Sequence, residues 1–132
     1  EYIKTAGDIY ALRQLRLMVV LNDEPNTTIG CVDLFDYEPR YERAEVAVLI
    51  DKDYRQKGYA KEALLLLEHY AFHFLNLHQL YAYIGESNWA SLALFSSLEY
   101  SKSAFLKDWF RVDEEWESCW LVQKFKEKGN SN

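Results

Sequence analysis

Cysteine, proline and methionine are all rare in this sequence. It contains two cysteines, two prolines and one methionine among 132 residues. Two cysteines are too few for the disulfide framework of a small secreted domain. Both of them, Cys31 and Cys119, lie within apolar segments that resemble strands. The sequence therefore predicts reduced thiols and a cytoplasmic location.

Other absences exclude whole classes of partner. No apolar run approaches the roughly 20 residues that a membrane-spanning helix needs. The net charge of -6 argues against nucleic acid, because binding to phosphates requires clustered Lys and Arg. His69 and His73 share a helical face without an H-E-x-x-H pattern or a cysteine pair, which favours packed or solvated histidines over metal ligands. We expect no metal, no membrane and no nucleic acid.

The length of the chain predicts a single domain with one core. We expect this domain to span residues 1–125 and the polar tail 126–132 to be frayed. Apolar patterns predict strands over 15–21, 28–37, 44–50, 80–84, 100–109 and 116–125, and helices over 59–76 and 88–97. The helix 59–76 connects strands 44–50 and 80–84 by a right-handed crossover, which makes them parallel neighbours. The predicted fold class is therefore α+β with a mixed, mostly antiparallel sheet.

A basic turn joins the third predicted strand to the first helix. Its residues are Arg55, Gln56, Lys57, Gly58, Tyr59 and Ala60, and Lys61 follows. The first amides of a helix lack partners and carry the positive end of its dipole, so they favour a diphosphate. Gly58 would let the backbone approach such a group. The spacing matches neither G-x-G-x-x-G nor G-x-x-x-x-G-K-[ST], and a simple turn is the alternative interpretation.

The turn resembles the R/Q-x-x-G-x-G/A loop with which the GNAT acetyltransferase superfamily holds the pyrophosphate of acetyl-CoA. Residues 86–100 resemble a second family pattern, N-x-x-[AS]-x-x-L-Y-x-K-x-G-F, with Asn88, Ser91 and Leu94 in place. Residues 29–33, 43–45 and 70–78 are similar to the RimJ/RimL branch, which includes spermidine N-acetyltransferases. The resemblance covers residues 15–124.

This resemblance implies a three-layer fold in which two parallel strands splay apart around the acetyl-pantetheine arm. It implies acetyl-CoA as cosubstrate and direct transfer of acetyl to an amine, with a polyamine such as spermidine favoured over a protein N-terminus. The implied CoA contacts are Val48, Leu49, Ile50, Arg55, Gln56, Lys57, Gly58, Tyr59, Ala60, Lys61 and Asn88. Because only residues 1–14 precede the first predicted strand, we expect a fragment without the family's first strand and helix, an exposed sheet edge and self-association.

The implied catalytic residues include one departure from the family. Phe95 stands where the family has the tyrosine that protonates the CoA thiolate, and Tyr100 is a candidate substitute. Glu45 is the candidate base, with a cross-strand ion pair to Arg43 as the alternative. Candidate acceptor-binding residues are Asp33, Asp36 and Glu86. The second hypothesis, favoured by Phe95, is a non-catalytic acyl-CoA-binding or regulatory domain.

Overall fold

A mixed sheet forms the centre of the computed structural model, which describes residues 2–6 and 13–128. The strands in this part of the chain are β1 Tyr2–Ala6, β2 Leu15–Val20, β3 Thr28–Glu38, β4 Arg43–Ile50, β5 Gln79–Gly85, β6 Ser101–Val112 and β7 Glu115–Phe125. The helices are α1 Tyr59–His69 and α2 Trp89–Ser97. The strand order is β1-β2-β3-β4-β5-β7-β6. Only β4 and β5 pair in parallel among these described strands, which confirms the predicted mixed sheet.

The core lies between one face of this sheet and the two helices. Leu64 and Leu67 of α1 are fully buried in the same cluster as Val46 of β4 and Leu80 of β5. Each such side chain contributes roughly 1.5–3 kcal/mol when it leaves water. Successive side chains of a strand point to opposite faces, so Glu45, next to Val46, lies on the face away from this core.

The predicted helix 59–76 changes its geometry partway. The α-helix ends at His69 and a π-helical turn follows over Tyr70–Phe74, where the Leu75 amide donates to the Tyr70 carbonyl at 3.0 Å. Single π turns inside α-helices often occur at functional sites. Here the turn keeps Ala71 and Phe72 buried.

The expectation that the outer edge of β2 is unpaired is wrong. Strand β1 pairs antiparallel with β2, from Tyr2 opposite Val20 to Ala6 opposite Arg16. A short strand is enough to satisfy the outward-facing amides and carbonyls of β2, which would otherwise remain unpaired. Residues 7–12 and 129–132, which include part of the predicted tail, lie outside the described residues.

Three features considered from the sequence can be examined in the described part of the chain. None of its helices is long and apolar enough to cross a membrane. Within the same residues, no group of three or more His, Cys, Asp or Glu side chains could hold a metal ion. Cys31 and Cys119 are both free thiols.

Candidate active site

Strands β4 and β5 separate shortly after they begin to pair. Their parallel register runs only from Arg43 opposite Gln79 to Glu45 opposite Tyr81, although β4 continues to Ile50. A cleft of about 400 Å³ opens where the pairing stops. The backbone groups on this side of β4 have no partner in β5 beyond Glu45, so they are available to an extended ligand.

The cleft is lined by residues of β4, β5, α2, β6 and β7. From β4 and β5 come Val46, Ala47, Val48, Ala82, Tyr83, Ile84 and Gly85; from α2 and its cap come Asn88, Ser91 and Phe95; from the last two strands come Phe110, Arg111, Val112 and Glu117. Of the predicted β4 contacts, Val48 lines the cleft, whereas Leu49 is exposed and Ile50 is buried in the sheet. The cleft therefore begins nearer the middle of β4 than expected.

The predicted anion-binding turn has the required backbone shape. Gly58 is the N-cap of α1 with φ +84°, in the left-handed region that disfavours residues with a Cβ. No heavy atom would lie within 4 Å of a Cβ placed there, so the backbone is open to solvent. Arg55, Gln56, Lys57 and Lys61 are exposed around it. The turn and the first amides of α1 thus present donors and positive charge together.

One basic side chain also holds this turn against β4. The Arg55 Nε atom donates to the Ile50 carbonyl at 2.9 Å. The Lys57 ammonium lies 5.7 Å from the centre of the Tyr54 ring. Arg55 therefore contributes to the shape of the turn, a role that its spacing in the sequence did not indicate.

Glu45 has the electrostatic properties of a base that titrates near neutral pH. It is half-buried, and burial followed by repulsion from Asp36 raises its pKa to about 7. Among the described residues it forms no ion pair, and the Arg43 guanidinium instead lies 4.9 Å from the Tyr41 ring. Burial and the charge of Glu45 raise the pKa of Tyr81 on the neighbouring strand. Glu45 does not itself line the cleft; it lies at the last position where β4 pairs with β5, where the raised pKa makes it a candidate functional group.

Phe95 lies in the wall of the cleft, whereas the hydroxyl of Tyr100 is buried without a hydrogen-bond partner among the described residues. The Phe95 side chain is 4% exposed, and its ring meets Tyr100 edge to face at 4.8 Å. Burial and the Glu68 carboxylate raise the pKa of Tyr100, and Glu68 pairs with Lys124 at 2.7 Å. Tyr100 does not line the cleft. Its role as a substitute proton donor stays a prediction that this geometry does not favour.

The three predicted acceptor-binding carboxylates do not converge. Asp33 is engaged by Arg16, whose Nε and Nη2 atoms donate to its two oxygens at 2.8 and 2.9 Å. Asp36 is exposed, with φ 50° at an irregularity of β3, and it is the carboxylate that acts on the pKa of Glu45. Glu86 lies on the loop after β5. Of these three carboxylates, Asp36 is therefore the one that acts electrostatically on Glu45.

Sequence reasoning missed the contribution of the last two strands. Phe110, Arg111 and Glu117 line the cleft, although they follow the end of β4 by sixty residues or more. The register irregularity in β6 between Leu106 and Phe110 has no recognisable pattern in the sequence. Only the pairing of β7 with β5 places these side chains beside the splayed strands.

Comparisons with known proteins agree with this geometry. The model of the acetyltransferase (GNAT) domain family matches residues 1–101. The chain is 28% identical over 90 residues to the spermidine N(1)-acetyltransferase of Escherichia coli, covering 68% of this chain and 48% of that protein. It is 27% identical over 109 residues to an uncharacterized N-acetyltransferase p20 of Bacillus licheniformis, covering 83% and 61%. The chain thus spans about half to three fifths of these relatives' lengths.

Solved structures share the fold. A dodecameric spermidine N-acetyltransferase from Vibrio cholerae superposes with a TM-score of 0.82 at 20% identity, covering 89% of this chain and 68% of that one. At this identity the likeness concerns the fold alone. The family model, by contrast, matches well over half of the sequence. With its splayed strands and glycine turn, this chain belongs to the GNAT acetyltransferase family.

Proposed function

We propose that the protein containing this chain is an acetyl-CoA-dependent N-acetyltransferase that acetylates a primary amine. The observation that carries the proposal is the end of β4–β5 pairing at Glu45 and Tyr81, which leaves a cleft between the two strands. The open turn at Gly58 follows the same strand β4 in the chain. The turn would bind the diphosphate, and the unpaired backbone of β4 would bind the amides of the pantetheine arm.

Direct transfer then requires two proton movements. The neutral amine attacks the thioester carbonyl, the new C–N bond forms, the C–S bond breaks, and CoA leaves as a thiolate. Glu45, with its pKa of about 7, accepts the proton that the amine loses. Backbone amides of β4 are suited to polarising the carbonyl. The thiolate must also gain a proton, and Phe95 in the cleft wall offers none.

The favoured acceptor is a polyamine such as spermidine. The net charge of -6 attracts cations, and Asp36 adds negative charge at Glu45. Relatives at low identity are named spermidine acetyltransferases. A protein N-terminus is the second acceptor class. The two free thiols are consistent with the cytoplasmic location that we propose.

A second candidate function has one specific observation in its favour. Phe95 lies in the cleft without a hydroxyl, as expected of a non-catalytic acyl-CoA-binding or regulatory domain. Thiol release from acetyl-CoA by the full-length protein, measured with spermidine, putrescine and a peptide with a free N-terminus, separates the two. Turnover of any amine supports the enzyme; CoA binding by calorimetry without thiol release supports the binding domain.

Glu45→Gln should remove one limb of the pH profile. With an active wild type, kcat/KM should rise with pH through an apparent pKa near 7, because only the ionised carboxylate accepts a proton. In Glu45→Gln we expect kcat/KM to fall roughly 10²–10⁴-fold and its rise with pH near 7 to disappear. Glu42→Gln, an exposed carboxyl before β4, is the control and should behave as wild type. A limb that persists in Glu45→Gln would show that another group is the base.

We also propose that the protein self-associates, as its dodecameric structural neighbour does. The β6–β7 hairpin exposes Trp109, Phe110, Val112 and Trp116, and exposed apolar patches of this kind favour association. Sedimentation should show a particle larger than a monomer, and Trp116→Ser should shift it towards the monomer. A wild type that sediments as a monomer at all concentrations would contradict this proposal.

A further inference from the structure

A carboxylate of β7 holds the loop between β5 and α2. The backbone N–H of Ser87 donates to Glu117 Oε2 at 3.0 Å, and the Ser87 hydroxyl donates to the same oxygen. These bonds lower the pKa of Glu117, which keeps the carboxylate charged. Hydrogen bonds to a charged acceptor are stronger than neutral ones.

The backbone around this contact is shaped to admit it. A Cβ on Gly85 would lie 2.8 Å from Glu117 Oε1, so the glycine lets the carboxylate lie directly on β5. The Glu86 amide also donates to the Ser118 carbonyl at 3.0 Å. Two neighbouring positions of β7 therefore hold two successive residues of the loop.

The held loop leads directly into the wall of the cleft. Asn88 follows Ser87 and caps α2, its Oδ1 atom accepting from the Ser91 amide at 3.2 Å. Asn88, Ser91 and Phe95 all line the cleft. The position of Ser87 thus determines where α2 begins and where this wall stands.

We infer that Glu117 is a positioning residue for acyl-CoA: by binding Ser87 it fixes the start of α2, and with it Asn88, Ser91 and Phe95. The inference rests on the proposed function. A contact at an exposed loop contributes little to global stability. If the loop is not ordered before CoA binds, however, part of the binding free energy is used to order it, and the affinity for CoA is lower. Loss of Glu117 should therefore weaken binding more than folding.

The test combines amide hydrogen exchange at Ser87 with CoA calorimetry on the full-length protein. Glu117→Ala should accelerate exchange of the Ser87 amide and raise the Kd for CoA, each about tenfold, a change that corresponds to about 1.4 kcal/mol. Glu117→Gln keeps an acceptor oxygen and should retain most of the affinity. Ser87→Ala keeps the backbone donor, so it should lose less CoA affinity than Glu117→Ala. Glu115→Ala, an exposed carboxyl on the same strand, should match the wild type.

The outcomes distinguish this inference from the proposed function. Equal CoA affinity in wild type and Glu117→Ala overturns the inference alone, whether or not Ser87 exchange changes. A wild type that binds no CoA, while Ser87 remains protected, overturns the proposed function and with it the positioning role. Similar loss in Glu115→Ala would assign the effect to the charge of β7 and also overturn the inference.

Discussion

Replacing Gly58 with valine should weaken CoA binding about a hundredfold, because the turn that would receive the diphosphate depends on this residue. Its φ of +84° is unfavourable for any side chain with a Cβ and most so for a β-branched one. The bulky side chain would also stand where the diphosphate approaches the first amides of α1. Hydrogen bonds to charged groups contribute about 1.5–3 kcal/mol each, so losing one or two accounts for the expected factor.

Gly58→Ala separates strain from obstruction. Alanine carries a similar backbone penalty with a much smaller side chain, so thermal unfolding should shift in the same direction in both variants. We expect calorimetry to show an intermediate CoA affinity for alanine and the large loss only for valine. No heavy atom lies within 4 Å of a Cβ at this position, so the valine would obstruct only a ligand that approaches the turn. Unchanged CoA affinity in Gly58→Val would therefore show that the turn is not part of the CoA site.

Phe95→Tyr should raise turnover with little effect on CoA affinity. The ring is buried in the wall of the cleft, and the resemblance of residues 86–100 to the family implies that it stands at the position of the proton-donating tyrosine. In the proposed mechanism a phenyl ring there would offer the thiolate no proton and would exclude water from the sulfur. A positioned donor contributes roughly 10²–10⁴-fold in rate. Thiol release by the two full-length proteins, at saturating acetyl-CoA, measures the gain.

Tyr100→Phe is the matched control for this gain. The Tyr100 hydroxyl is buried without a hydrogen-bond partner among the described residues, and Tyr100 does not line the cleft, so removal of the hydroxyl should not change turnover. A marked loss in Tyr100→Phe would identify Tyr100 as the donor. Wild-type turnover equal to that of tyrosine-bearing relatives would show that the protein is not impaired. In that case Tyr83, which lines the cleft, or an ordered water must serve as donor.

Local signals were sufficient for most of the secondary structure. The apolar run before Gly58 and the periodic pattern after it predicted a strand, a turn and a helix. At the second helix the polar pair Ser87 and Asn88 offered two possible caps, and the structure has Asn88, which accepts from the Ser91 amide. Such features depend on a few neighbouring residues. The end of α1 was less predictable: the apolar pattern continued to residue 76, whereas a π turn over Tyr70–Phe74 replaces the α-helix after His69.

The candidate site divides in the same way. The turn with Gly58 and the parallel pairing of β4 and β5 followed from the sequence by itself, because each reflects local pattern or the handedness of one crossover. The roles of Glu45 and Phe95 were implied only by the family resemblance, and of these two residues Phe95 lines the cleft. Only the tertiary structure decided the pKa of Glu45, the exclusion of Tyr100 from the cleft and the contact of Glu117 with Ser87. These depend on burial and on side chains of different strands, which meet only when the sheet has assembled.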